Sequence, residues 1–275
     1  MTTGLPASGA LPTAGNGSPE LRVTSLTVRY GSFLALRDIT ATFPANEIVG
    51  LIGPNGAGKT TLLNAVSGFS GGVSGEVWLG EQDITALPIR ERVKVGVVRS
   101  FQTVRLLDRE DVMTNVALGA ERLAHPTVVE QWLALPRQRR AARRDQEATW
   151  QILELLGLAG DAYRPVDELP FASRRLVEVG RVLVTRPTVI LLDEPAAGLD
   201  TEGRLALEEV LRTVHRTSPA TMVIVEHDVA LVARLCSSAV ALDSGQLVCV
   251  GTPQEVLADE RVQRAYFGRT SDARG

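Results

Sequence analysis

The segment GPNGAGKTT, Gly53–Thr61, fits the pattern G-x-x-x-x-G-K-[ST]. Each residue type in it has a chemical use. Glycines let successive backbone N–H groups turn inward on a polyanion, and a helix starting at the lysine adds the positive end of its dipole. Gly53, Pro54, Asn55, Gly56, Ala57, Gly58, Lys59, Thr60 and Thr61 thus read as a cradle for phosphates. Lys59 reaches the β- and γ-phosphates of a nucleotide such as ATP, and the Thr60 hydroxyl can ligate Mg2+. At average composition a chance match in a chain this long arises on the order of once in a hundred. Lysine usage sharpens the point. Of 29 basic residues only Lys59 and Lys94 are lysine, so a chain that otherwise chooses arginine keeps a compact ammonium at position 59.

A second constellation supplies acid–base chemistry. VILLDE, Val189–Glu194, is an apolar run ending in two carboxylates. Buried as a parallel strand, it delivers Asp193 and Glu194 to the sheet's C-terminal edge, where ligands of such sheets bind. Asp193 would hold Mg2+ directly or through water, and Glu194 would polarise an attacking water as general base. Two carboxylates at a strand end are otherwise plain surface charge; their partnership with the phosphate loop makes the catalytic reading stronger. His227 directly follows another apolar run, TMVIVE. A lone histidine in such a place is more often structural.

These residues need strands and helices to carry them. EIVGLIG (Glu47–Gly53), TVILLDE (Thr188–Glu194) and TMVIVEH (Thr221–His227) are strand-length apolar runs, as expected of strands buried on both faces of a parallel sheet. LRVTSLTVRYG and ALRDITATFP alternate like half-exposed strands, and Gly75–Leu79 and Val93–Val98 read as further strands. Helical patterns follow at Lys59 to about Val66, across most of Asp111–Leu183, and at Thr201–His215. The C-terminal part suggests a hairpin turning at Asp243–Ser244–Gly245 and then a short amphipathic helix. The pattern is an α/β sheet core with a helical insertion.

Composition narrows the class. A hydrophobic content of 44% and a charged content of 22% are those of an ordinary globular protein. A net charge of −3 carries no footprint for nucleic-acid binding. No apolar run approaches the roughly 20 residues that span a bilayer. The N-terminus lacks the apolar core of a signal peptide and reads as a flexible Gly/Pro/Ser/Thr-rich tail over 1–19. The two cysteines, Cys236 and Cys249, match no metal or redox spacing. The expected compartment is cytoplasmic.

In order and content, Leu21–Gly268 resembles the nucleotide-binding domain of ABC transporters. That resemblance implies a P-loop NTPase (RecA-like) core with an N-terminal antiparallel β subdomain and an inserted α-helical subdomain. The domain would span 20–268, the helical part about 103–186, with a flexible C-terminus at 269–275. Tyr30 in VRYG matches the aromatic that stacks on adenine, and Gln102 in RSFQ the glutamine linking Mg2+ and water to the membrane partner. Ala196–Asp200 matches the loop that touches the opposite subunit, and His227, 33 residues past Glu194, the switch histidine at the γ-phosphate. VGVVRSFQTVRLLDREDVMTNVALGA, LLDEPAAGLD and GTPQEVLADERVQRAYFG narrow the likeness to ATP-binding subunits of branched-chain amino acid importers. The implied activity is ATP hydrolysis coupled to transport, with ATP and Mg2+ as cofactors. The implied partners are transmembrane permease subunits, a second ATP-binding subunit (this chain or another) and, indirectly, a solute-binding protein, at the cytoplasmic face of the membrane. Urea, other amides or lipids remain open as cargo, and a soluble ABC-type switch is the reading from another class.

Two stretches depart from the pattern or stand outside it. LPFASRR opens the signature helix where such helices carry serine and two glycines, so Pro170 removes a hydroxyl and a backbone N–H. If the family glycine needs positive φ, Ala172 would oppose it by roughly 1–2 kcal/mol in a helix expected from about Arg174. The run Arg137, Arg139, Arg140, Arg143 and Arg144 reads first as a solvated helix face, with an anionic partner as the sharper alternative.

Overall fold

In the computed structural model, the described residues are 18–100, 106–121, 136–218 and 220–267. The N-terminal tail and Gln102 therefore lie outside them, as do the side chains of Arg137, Arg139, Arg140 and Arg143. The chain opens with β1 (Leu21–Tyr30) and β2 (Phe33–Phe43), which alternate buried and exposed residues as a sheet with one dry face requires. They pair antiparallel, and β4 (Val73–Leu79) and β5 (Gln82–Asp83) complete a four-stranded sheet in the order β2-β1-β4-β5. Between them run β3 (Ile48–Ile52), every residue buried, and α1 (Lys59–Ser67).

The second sheet holds β6 (Val97–Arg99), β7 (Val189–Asp193), β8 (Thr221–Val225), β9 (Ser238–Asp243) and β10 (Gln246–Gly251), in the order β10-β9-β3-β8-β7-β6. All its neighbours are parallel except the edge pair β9–β10, a hairpin turning at Ser244 and Gly245, both at positive φ. Because side chains alternate along a strand, β7 splits its burial. Ile190 and Leu192 join the core on the helical side, while Val189 and Leu191 join the core beneath the antiparallel sheet.

The segment between α2 (Ile89–Lys94) and β6 corrects one expectation. Val93–Val98 is not a continuous strand: Val93 and Lys94 close a helix, and the strand begins only at Val97. Pro88 at the N-cap sets up the helix, a Glu91–Lys94 ion pair fits the helical spacing, and Gly96 at positive φ makes the turn. The helical portion contains α3 (Val112–Glu121), α4 (Pro136–Leu155) and α5 (Phe171–Leu183), which pack together around Val116, Ile152 and Val177. After β7 comes α6 (Thr201–Thr217), and after β8 comes α7 (Val229–Leu235), both N-capped by aspartates, Asp200 and Asp228. Two helices finish the described chain, α8 (Pro253–Ala258) and α9 (Glu260–Phe267), where one was expected. The interruption is local: Asp259 leaves helical geometry, and its carboxylate accepts from the Arg261 N–H.

Candidate functional site

Four parallel strands end on one edge of the large sheet, and each carries something polar there. The loop after β3 is Gly53–Gly58. Glycine is required at two of its positions: Gly53 has φ 150° and is hemmed by the Leu242 carbonyl, and Gly58 has φ 102°, where a Cβ would stand 2.6 Å from Leu36 Cδ2. Gly58 is also the N-cap of α1, with no side chain capping it, so that helix's first N–H groups face the loop. Lys59 is almost fully buried. Its ammonium donates to the carbonyls of Gly53 at 2.7 Å and Pro54 at 3.1 Å. Burial pushes its pKa below the ordinary lysine value, and the nearby carboxylates of Glu194 and Asp193 oppose that shift.

Asp193, at the end of β7, has a side chain closed to solvent. Its Oδ1 lies 3.5 Å from Thr60 Oγ1. Its Oδ2 meets Arg99 Nη2 at 2.6 Å, and Arg99 Nη1 donates to the carboxamide oxygen of Asn64 on α1. Glu194 stands just beyond the strand at φ 51°, a left-handed conformation unusual for a non-glycine residue, with its N–H donated to Val225. Its Oε1 is 2.9 Å from His227 Nε2. Glu226, before the histidine, is buried and accepts from the N–H groups of Ala196 at 2.8 Å and His227 at 3.3 Å. Burial raises its pKa above the usual carboxylate range.

Over the phosphate loop lies an open depression of about 270 Å³, lined by Phe33, Ala35, Glu194 and the loop from Asn55 to Thr61. Gly53, Pro54, Asn55, Gly56, Ala57, Gly58, Lys59, Thr60, Thr61, Asp193, Glu194 and His227 thus converge on one edge. Tyr30 ends β1 half exposed, its hydroxyl 2.9 Å from Ser70 Oγ, and Phe33 is the aromatic lining the depression. Sequence reading missed Phe33, Arg99 and Glu226. Only Phe33 left a signal, as an aromatic three residues past Tyr30. Ala172 is also corrected: α5 starts at Phe171, and Ala172 lies within it without positive φ.

The donors suit a divalent cation bound with a nucleotide. A buried carboxylate and a hydroxyl are hard oxygen ligands, and among the described residues no cluster of three or more His, Cys, Asp or Glu could cage a metal alone. An ion here would rely on phosphate oxygens and water for its remaining ligands.

The comparisons decide the family. The profile described as ABC transporter matches residues 36–197. This chain belongs to the ABC transporter ATP-binding family. As a member it is an ATPase that energises transport, built on a nucleotide-binding cassette. A second profile, described as branched-chain amino acid ATP-binding cassette transporter, matches residues 246–271. The chain is 35% identical over 252 residues to the high-affinity branched-chain amino acid transport ATP-binding protein LivG of Escherichia coli, covering 91% of this chain and 98% of the relative. It is 34% identical to BraF of Pseudomonas aeruginosa, with the same coverage. Among solved structures, a nucleotide-free ATP-binding cassette from an ABC transporter matches with TM-score 0.78 and 28% identity, covering 91% of this chain and 99% of that one. A cassette in its ADP conformation gives 0.77 and 27% over the same shares. Transmembrane partners follow from the family. No described helix is long and apolar enough to cross a membrane.

Proposed function

We propose that this chain is the ATP-hydrolysing subunit of a branched-chain amino acid importer, held at the cytoplasmic face of the membrane by permease subunits. The observation that supports the cargo is the match of 246–271 to the branched-chain profile, added to LivG and BraF likeness along nearly the whole chain. The supporting geometry for the chemistry is the 2.9 Å contact between Glu194 and His227 beside the phosphate loop.

The roles follow from placement. Tyr30 and Phe33 offer aromatic surface for the adenine, and the loop N–H groups with Lys59 take the phosphates. Thr60 and Asp193 would hold Mg2+, which when bound neutralises phosphate charge; Gln102, outside the described residues, is the further ligand that the family pattern implies. Glu194 accepts the proton of the attacking water, and His227 holds that carboxylate in place and faces the γ-phosphate. The apolar cleft between Phe69, Ile89 and Val182, close to Arg99, is the surface we assign to the permease.

The second ATP-binding subunit we place across Phe171–Ser173 and Ala196–Asp200, which already touch: the Phe171 ring lies against Gly198.

The test is Glu194→Gln in the purified chain. Nucleotide affinity should stay within about threefold, because the loop is untouched. Turnover should fall by about 10²–10⁴, the usual share of a general base, or roughly 3–5 kcal/mol of barrier. A variant turning over ATP at the wild-type rate removes Glu194 from that role. For the cargo, proteoliposomes with the co-purifying permease should accumulate labelled leucine and valine but not urea; the reverse selectivity refutes the assignment.

A further inference from the structure

The C-terminal segment that matches the branched-chain profile reaches the phosphate loop with one side chain. Tyr266, on α9, accepts the Gly53 N–H on its hydroxyl oxygen at 2.7 Å, across 213 residues of sequence. The Gly53 carbonyl in turn accepts from Lys59 Nζ at the same distance. One residue is therefore held at its N–H by the tail and holds the lysine at its C=O. Gly53 has little freedom to escape: φ is 150°, the Leu242 carbonyl blocks one side, and Ala57 Cβ stands 3.0 Å from where a Cβ would be.

The tail is itself firmly seated. Val256 on α8 and Val262 on α9 are buried, and α8 starts with a full capping box between Thr252 and Glu255. The Tyr266 ring packs against the core on the helical side. Burial raises the phenol above its ordinary value, so the hydroxyl stays neutral at physiological pH.

We propose that Tyr266 is a positioning residue for nucleotide binding: its hydroxyl fixes the first peptide of the phosphate loop and, through Gly53, the place of Lys59. The inference rests on the reading of Gly53–Thr61 as the phosphate cradle. A tyrosine whose only role was packing would need its ring; this one needs its oxygen.

The experiment measures ADP and ATP dissociation constants of the full chain by calorimetry in EDTA, well below the melting temperature. It compares wild type with Tyr266→Phe, Tyr266→Leu and Lys59→Ala. Losing the acceptor leaves the Gly53 N–H short of a partner, so Phe should weaken both nucleotides by about five- to thirty-fold. Leu should match Phe within about twofold of that loss, and in steady state the KM for ATP should rise more than kcat falls. Wild-type affinity in Tyr266→Phe overturns the proposal, including the case where Leu alone is weak, because the ring and not the hydroxyl then matters. Wild-type affinity in Lys59→Ala overturns the cradle reading itself. A weak Lys59→Ala beside an unaffected Tyr266→Phe overturns only the role of Tyr266.

Discussion

Replacing Arg99 with methionine keeps the length and apolar stem of the side chain and deletes its charge. In the wild type the Arg99 and Asp193 side chains are 6% and 0% exposed and meet at 2.6 Å, with Asn64 bracing the guanidinium. Asp193 would then be a buried carboxylate without its paired guanidinium, with only the Lys59 ammonium left nearby as positive charge. Breaking a buried pair by removing one partner costs about 3–5 kcal/mol, far above the 0–1 of an exposed pair. For a domain this size each kcal/mol moves the melting temperature by about 2–4 °C, so we predict a fall of roughly 6–20 °C without nucleotide. Arg99→Lys should recover part of it, since a point charge returns but the fork that serves Asn64 and Asp193 together does not. Adding Mg2+ and ADP should narrow the gap between Arg99→Met and wild type, because a cation held at Asp193 supplies the missing positive charge. The assay is thermal melting of the three proteins with and without Mg2+ and ADP. A fall below about 3 °C means the pair is not carrying buried charge. A gap unmoved by Mg2+ and ADP refutes the link between Arg99 and the metal carboxylate.

Two further expectations can be checked alongside. Burial pushes the Cys236 thiol up to about 12 from 9.0; a raised folded pKa means its stabilising share is whole below pH 9 and drains away between pH 9 and about 12. From pH 7.5 to 10.5 the urea stability of wild type relative to Cys236→Ala should therefore fall by about 2 kcal/mol, and parallel curves would refute the burial of a neutral thiol. In the assembled transporter, Lys59→Ala here should cost much more ATP turnover than the matching change in a partner with a serine–glycine signature, because that partner's signature completes this chain's site. Equal losses would sink the asymmetry.

The sheet was legible in the sequence because strands buried on both faces are written as continuous apolar runs, which is why Ile48–Ile52, Val189–Asp193 and Thr221–Val225 stand out. The phosphate loop and the Asp193–Glu194 pair were legible for a related reason: their chemistry needs neighbours in sequence. Arg99, Glu226 and Tyr266 were not. Each acts through a partner set by the fold, Arg99 on Asp193 94 residues away and Glu226 on the Ala196 N–H 30 residues away. A lone arginine at a strand end or a tyrosine in a terminal helix has no local pattern to give it away. The misreading of Val93–Val98 has a different origin. Valines at 93, 95, 97 and 98 mimic strand alternation, and only Pro88 and Gly96, read as helix start and stop, would have separated the two elements.

The signature helix shows how structure changes the meaning of a departure read from the sequence. From sequence, Ala172 threatened strain, because a glycine in its place could need positive φ. In the structure α5 begins at Phe171, three residues earlier than the Arg174 start, and Ala172 occupies its first turn without positive φ. The conformational penalty therefore vanishes. What remains is chemical. Pro170 at the N-cap contributes neither hydroxyl nor N–H, and no side chain caps the helix. The first N–H groups of an α-helix have no intrahelical partner, and here no side chain caps them, while the Phe171 ring lies beside Gly198 of the 196–200 loop. Arg175 stacks its guanidinium over the Phe171 ring at 5.4 Å, which fixes the ring against that loop. The altered signature is thus a regular helix start lacking the hydroxyl and the N–H at position 170, not a distorted loop. Its deficit toward a partner's nucleotide should be graded, as a weaker hold on phosphate, rather than an outright loss of association.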